Sequence, residues 1–199
     1  MMLDAECRTS AERCVAMNRN IEIEFKTVIP KEKYEELLTL FQLENNIYKQ
    51  TNHYFDTDDY ALNQKQIVLR IRQKGEHFFK VTLKSQSEEG AYENHVLLTP
   101  EQALDMIENG FQTKDYFDDI DVFVTFKVSL DNYRVSTPYE SGTLFLDRCE
   151  YCNVVDYEIE YEVNRYQEGW RVFETFLEKH DITFLPTKRK SERAFICKR

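Results

Sequence analysis

Charged residues recur at every second position in four separate stretches of this chain, with the sign grouped by stretch. Glu22, Glu24 and Lys26 alternate with Ile21, Ile23 and Phe25, and Arg70, Arg72 and Lys74 alternate with Leu69 and Ile71. Lys80, Thr82 and Lys84 alternate with Phe79, Val81 and Leu83, and Glu158, Glu160 and Glu162 alternate with Tyr157, Ile159, Tyr161 and Val163. In extended chain this period of two puts each charged set on one face. Four bases from one hairpin (Arg70, Arg72, Lys80, Lys84) suit a multiply charged anion, and guanidinium forks match phosphate oxygens. The carboxylates suit a hard divalent cation, which is commonly held by carboxylates together with phosphate oxygens. An anion that arrives with such a cation is a polyphosphate.

Both faces of these strands need an explanation. With the charges outermost, the aromatic-rich faces would fill a barrel and the charges would be a solvated surface. With helices packed outside, the apolar faces bury beneath the helices and the charges line a wet interior. There they must pair or bind something. Helices able to provide that cover are present in the pattern. The segment 30–42 carries Tyr34, Leu37, Leu38 and Phe41 on one face, and 100–109 is capped by Thr99 and ended by Gly110. The segment 165–180, with Asn164 as cap, carries Trp170, Phe173, Phe176 and Leu177, and a brief helix over 60–65 follows an Asp56–Asp59 turn. Strands are predicted at 52–55, 67–74, 77–84, 91–98, 143–149 and 156–163, with a polar loop from Ser85 to Gly90. A further hairpin joins 122–128 to 133–137 across Asp131-Asn132. The expected fold is α+β, an eight- to nine-stranded antiparallel barrel with helices packed outside.

Composition narrows the class of partner. The 199 residues carry a net charge of -10, so no nucleic-acid or membrane-surface partner is expected, and any anion site is a local cluster of bases. No apolar run reaches the length of a membrane span. The first residues include Asp4, Glu6 and Glu12 and lack an apolar run of the signal-peptide kind. Residues 1–19 are expected to be a poorly structured or added extension, with Met17 a candidate start, and residues 20–199 one domain. Cys7, Cys14, Cys149, Cys152 and Cys197 are scattered and odd in number, which reads as a reduced, cytoplasmic protein; Cys149-Glu150-Tyr151-Cys152 has no second pair with which to hold zinc. Monomer and homodimer are both compatible with the sequence.

Taken in order, Glu22-x-Glu24-x-Lys26, Arg70-x-Arg72, Lys80-x-Thr82-Leu83-Lys84, Glu158-x-Glu160 and Lys188-x-Lys190-x-x-Arg193 resemble the CYTH family, the triphosphate tunnel metalloenzymes, and in particular its small stand-alone bacterial members. The resemblance runs from about residue 20 onward. It implies an eight-stranded antiparallel tunnel, a small-molecule triphosphate substrate and Mg²⁺ or Mn²⁺. Carried over by position, it implies triphosphate binding by Arg70, Arg72, Lys80, Lys84, Arg134, Lys190 and Arg193. It implies metal ligation by Glu22, Glu24, Asp147, Glu158 and Glu160, and catalytic roles for Lys26, Glu24 and Glu160. The expected activity is metal-dependent hydrolysis of tripolyphosphate or of an organic triphosphate such as thiamine triphosphate or a nucleotide. A class IV-like adenylyl cyclase and a non-catalytic triphosphate- or polyphosphate-binding module are the alternatives. Two departures stand out: Glu93-Asn94-His95 where many members have a second Glu-x-Glu, and Asn132 where many have lysine. Lys26 has a simpler reading as the ion partner of a neighbouring glutamate, and Glu162 and Lys74, at strand ends, read as solvated.

Overall fold

The computed structural model describes residues 20–87 and 90–198. Nine strands occupy β1 (Asn20–Ile29), β2 (Tyr48–Asp56), β3 (Ile67–Lys74), β4 (Phe78–Ser87), β5 (Gly90–Leu98), β6 (Phe111–Gln112), β7 (Phe123–Tyr139), β8 (Gly142–Tyr151) and β9 (Val154–Val163). Their order is β2-β3-β4-β5-β1-β9-β8-β7-β6, and β2 also pairs with β7. That last pairing runs from Tyr48↔Arg134 to Asp56↔Thr125 and returns the sheet on itself, so eight strands form a closed antiparallel ring, with two-residue β6 attached to β7 alone.

Directly opposed residues of an antiparallel ladder share a face, and the register turns the charged faces inward. Arg70 lies opposite Tyr54 and Thr82, and Arg72 opposite Asn52 and Lys80. Glu24 lies opposite Glu162, Lys26 opposite Glu160, and Glu158 opposite Asp147. The apolar faces point outward and are covered. Helices α1 (Lys31–Leu40) and α4 (Tyr166–Lys179) bury Leu37, Phe173 and Phe176 against Phe25, Leu144, Ile159 and Tyr161. Phe25 sits edge-on to Trp170 at 5.3 Å, a contact that ties β1 to α4. A short α2 (Ala61–Gln64) follows β2, and the Asp56 carboxylate accepts from the backbone N–H groups of Leu62 and Asn63. Across the ring, α3 (Pro100–Asn109) lays Ala103 and Met106 on Leu69, Ile71, Phe79 and Val81. Its start is a reciprocal cap between Thr99 and Gln102, and its end is Gly110 at φ 76°, where a Cβ would come within 2.4 Å of the Val124 carbonyl oxygen. No helix among the described residues is long and apolar enough to cross a membrane.

Helix α5 (Lys190–Lys198) does something different from the others. Its Ala194 and Phe195 pack on Tyr54, Val128, Leu130, Cys149 and Tyr151, which are inward-facing residues at one end of the ring. The helix therefore plugs that end.

The structure departs from the sequence expectations at several places: the polar loop expected from Ser85 to Gly90, for one, is strand at Ser85–Ser87 and at Gly90, where β4 and β5 continue their ladder. The predicted hairpin across Asp131-Asn132 is one unbroken 17-residue strand, β7. The turn-forming pair serves the barrel walls instead: Asn132 is buried inside opposite Gln50, while Asp131 outside accepts from Thr51 at 2.6 Å and pairs with Lys49 at 2.7 Å. The cap of α4 falls at Arg165, without a side-chain hydrogen bond, rather than at Asn164. Finally, Cys152 in the β8–β9 turn and Cys197 on α5 form a disulfide, against the expectation of scattered reduced thiols. Cys149 is buried and free, and Cys7, Cys14 and Met17 lie outside the described residues.

Candidate active site in the barrel interior

Two chemically opposite walls face each other inside the ring. The basic wall is built by the β3–β4 hairpin, whose period of two sends Arg70, Arg72, Lys80 and Lys84 inward. Arg70 and Lys84 both approach Glu93 of β5 at 3.6 Å. Arg72 donates through Nε to Asn52 Oδ1 at 3.0 Å. Among the described residues, neither Arg72 nor Lys80 has a carboxylate within ion-pair distance. Burial, then Arg70 and Arg134, push the Arg72 guanidinium down to about 9. Burial, then Arg72 and Arg70, lower the Lys80 ammonium. Each cation is thus partly withdrawn from water beside others of its own sign, a cost that a bound anion relieves.

The acidic wall comes from β1, β8 and β9. Glu158 and Asp147 are fully buried, and Glu160 nearly so. Their counter-charges arrive from β7 and α5. Arg134 makes a forked contact with Asp147 at 2.7 and 2.6 Å and also donates to Glu160. Lys190 of α5 touches Asp147 at 2.9 Å, Glu160 at 2.6 Å and Glu158. Arg193 reaches Glu158 at 2.7 Å and Asp156 at 3.1 Å. Burial would raise Asp147 and Glu160, but Arg134 and Lys190 outweigh it and hold both carboxyls below the usual range. For Glu158 the balance is reversed: burial, with Glu160 alongside, pushes it up to about 7.

Two groups of three carboxylates bring oxygens within 4.8 Å of one another: Glu24, Glu160 and Glu162, and Asp147, Glu158 and Glu160. The second is wholly buried among the cations just described. The first is half-open to the cavity that the basic wall also lines. Lys26 pairs with Glu24 at 2.7 Å, and that pair, with Lys84, holds Glu24 below the usual range against burial and against Glu160. These residues fit a hard divalent cation in kind, number and spacing. Glu22 keeps its strand position beside Glu24, but its side chain lies outside the described residues.

The interior thus collects Glu24, Lys26, Arg70, Arg72, Lys80, Lys84, Arg134 and Lys190 on one cavity, with Glu160 on its acidic side. Asp147, Glu158 and Arg193 sit behind it in the buried ion network. Glu162, expected to be solvated, lines the cavity too: β9 ends at Val163 as expected, and its inner face still borders the cavity at Glu162. Two uncharged interior residues, Gln50 and Asn52, were not among the expected site residues. Gln50 and Asn52 are 1% exposed, and both amide atoms of Gln50 and the Nδ2 of Asn52 lack a protein partner. The alternation Gln50-x-Asn52-x-Tyr54 was the available signal, but it carries no charge. His95 lies opposite Thr82 on the inner face.

Comparison with known proteins agrees with this architecture. The CYTH domain family matches residues 20–195. The Bacillus subtilis protein named "Putative triphosphatase YjbK" is 35% identical over 192 residues, covering 92% of this chain and 98% of its own length. A Bacillus halodurans protein solved as a "putative adenylate cyclase" is 32% identical, with a TM-score of 0.81 over 90% of this chain and 100% of its own. The Hippeastrum protein HpAC1, solved as a "putative adenylyl cyclase" with a dominant triphosphatase activity, shares the fold at 22% identity and a TM-score of 0.71, covering 88% of this chain and 95% of its own. A closed ring of inward-charged strands and a sequence match over nearly all of the described residues lead to one statement: the chain belongs to the CYTH domain family.

Proposed function

We propose that this protein hydrolyses the terminal phosphoanhydride of small-molecule triphosphates, with Mg²⁺ or Mn²⁺ in support. The observation that carries the reading is a pair of inward-facing cations with no ion partner among the described residues, Arg72 and the half-buried Lys80, set across one cavity from the Glu24–Glu160–Glu162 carboxylates. Relatives named for triphosphatase activity support the same reading.

Arg70, Arg72, Lys80 and Lys84 neutralise successive phosphates along the hairpin, where residues two apart are about 6–7 Å from each other. Arg134, Lys190 and Arg193 act from behind. They fix Asp147, Glu158 and Glu160 as ionised or hydrogen-bonded groups and keep the acidic wall rigid. Lys26 orients Glu24 through their ion pair. Glu24, Glu160 and Glu162 would hold the divalent cation. When bound, that ion supplies charge stabilisation for the transferring phosphoryl group and a polarised water. The chain's own share is preorganisation: cations fixed on the barrel wall cost little reorientation as charge builds on the phosphoryl oxygens.

Product analysis tests the reading. Tripolyphosphate, ATP and thiamine triphosphate are each incubated with the full chain and Mg²⁺ or Mn²⁺. Orthophosphate release is expected. Pyrophosphate with a cyclic nucleotide would assign the cyclase chemistry for which the Bacillus halodurans relative is named, and binding without turnover would make the barrel a triphosphate-binding module.

A further inference from the structure

The open end of the barrel is the end opposite α5, and its rim has an unexpected composition. Tyr48 begins β2, Lys74 ends β3, Phe78 begins β4 and Leu97 lies next to the end of β5. Antiparallel order places all four strand ends at the same mouth. The register puts them on the inner face: Tyr48 lies opposite Arg134, Phe78 opposite Lys74, and Leu97 opposite Lys80. Yet these inner positions are exposed, Tyr48 by 39%, Phe78 by 41% and Leu97 by 65%. None of the three belongs to a hydrophobic core cluster. The Lys74 ammonium stands 5.1 Å from the centre of the Tyr48 ring.

A single exposed leucine is ordinary. Three large apolar side chains on neighbouring strands, with a row of phosphate-binding cations starting directly below them, are not. Leu97 is the cross-strand neighbour of Lys80, and Phe78 is two residues before it, about 6–7 Å along the strand. Any group attached to a phosphate held by Lys80 and Arg72 emerges between these two side chains.

We infer that Tyr48, Phe78 and Leu97 form a subsite for a flat aromatic group, so that the ligands this barrel favours are organic triphosphates rather than bare tripolyphosphate. The inference rests on the phosphate reading of the β3–β4 hairpin. The ring lies against Phe78 and Leu97, with Tyr48 and the Lys74 ammonium bounding its far side, and offset or edge contacts with the two aromatic residues fix its plane. The subsite selects by shape and polarisability, with the Lys74 ammonium as its charged neighbour.

The test separates ring recognition from turnover. ATP and tripolyphosphate are titrated calorimetrically into the full chain in EDTA, which stops metal-supported hydrolysis. The chains are the wild type, the Phe78→Ala/Leu97→Ser double variant and Phe78→Trp. The ratio of ATP to tripolyphosphate affinity should fall about tenfold in the double variant and hold or rise in Phe78→Trp. An unchanged ratio in the double variant, or an equal loss for both ligands, overturns the subsite. Orthophosphate release from the same preparations with Mg²⁺ is scored independently. Ring-selective binding without release would sink the hydrolase reading and leave the subsite standing.

Discussion

Arg72 and Asn52 face each other across β3 and β2, and the guanidinium gives its Nε hydrogen to the Asn52 amide oxygen at 3.0 Å. A neutral amide thus fixes the orientation of a buried cation without cancelling its charge. Arg72→Ala should weaken tripolyphosphate binding by about 2–5 kcal/mol, the range for truncating one partner of a buried charged contact. Arg72→Lys should restore only part, because the planar fork is lost. Calorimetry with mono- and triphosphate decides: an equal loss for both would mean that Arg72 acts as general charge and not as one station along a phosphate row.

Lys190 is the hub of the opposite wall, and its removal takes one cation from three buried carboxylates, leaving Asp147 and Glu160 to Arg134 and Glu158 to Arg193. Lys190→Met should lower unfolding stability by about 3–5 kcal/mol. Adding Glu158→Gln should recover part of it, and the coupling in a double-mutant cycle measures how much of Lys190's role is charge. Additive losses in urea unfolding would deny that the two form a unit.

Glu24 and Glu160 belong to one carboxylate group but differ in consequence. Glu24→Gln should cost most of the turnover and leave thermal stability nearly unchanged, because Lys26 remains half-open to solvent. Glu160→Gln should cost turnover and also stability, by about 2 kcal/mol or more, since Arg134 and Lys190 lose a fully buried partner. Glu162→Gln should raise the Mg²⁺ concentration needed for half-maximal rate. Wild-type metal dependence in both Glu24→Gln and Glu162→Gln would remove the cation from this group.

Anion affinity should depend on pH from the basic side. Arg72 and Lys80 are bases whose ordinary values are depressed by burial inside the barrel and by the neighbouring cations. A bound polyphosphate favours their charged forms and raises those values again, so binding takes up protons where the free groups have begun to lose them. Affinity for tripolyphosphate should therefore be flat at neutral pH and fall as pH rises through about 9. A flat profile to pH 10.5 would show both groups fully charged without ligand.

Much of this was legible because charge and apolarity alternate so cleanly on β1, β3, β4 and β9. The bounds expected for β3 and α3, 67–74 and 100–109, are those observed. Opposite parity of charge and bulk decided that the charges point inward once helices were available to cover the other face. The failures share a physical cause, which is that tertiary context overrode a local preference. Asp131-Asn132 has turn chemistry, yet each residue finds a better partner across the sheet. Glu162 sits at a strand end, where sequence alone cannot tell a rim from the solvent. Gln50 and Asn52 are buried inside the barrel with no charge to mark them. Nor can helical periodicity reveal that α5 enters the barrel where the other helices lie outside it.

The pairing of β1 with β9, from Ile23↔Val163 to Ile29↔Tyr157, sets the order of events when the chain is made. The first strand carries Glu24 and Lys26 but meets its longest partner only after every other strand has been synthesised, and Lys190 follows later still. Until then the nascent ring has an open seam and carboxylates without their cations. This pairing is long-range in sequence, the kind that forms slowly, and a chain made only as far as β8 lacks Glu158, Glu160 and Lys190, so its acidic wall is not yet a wall.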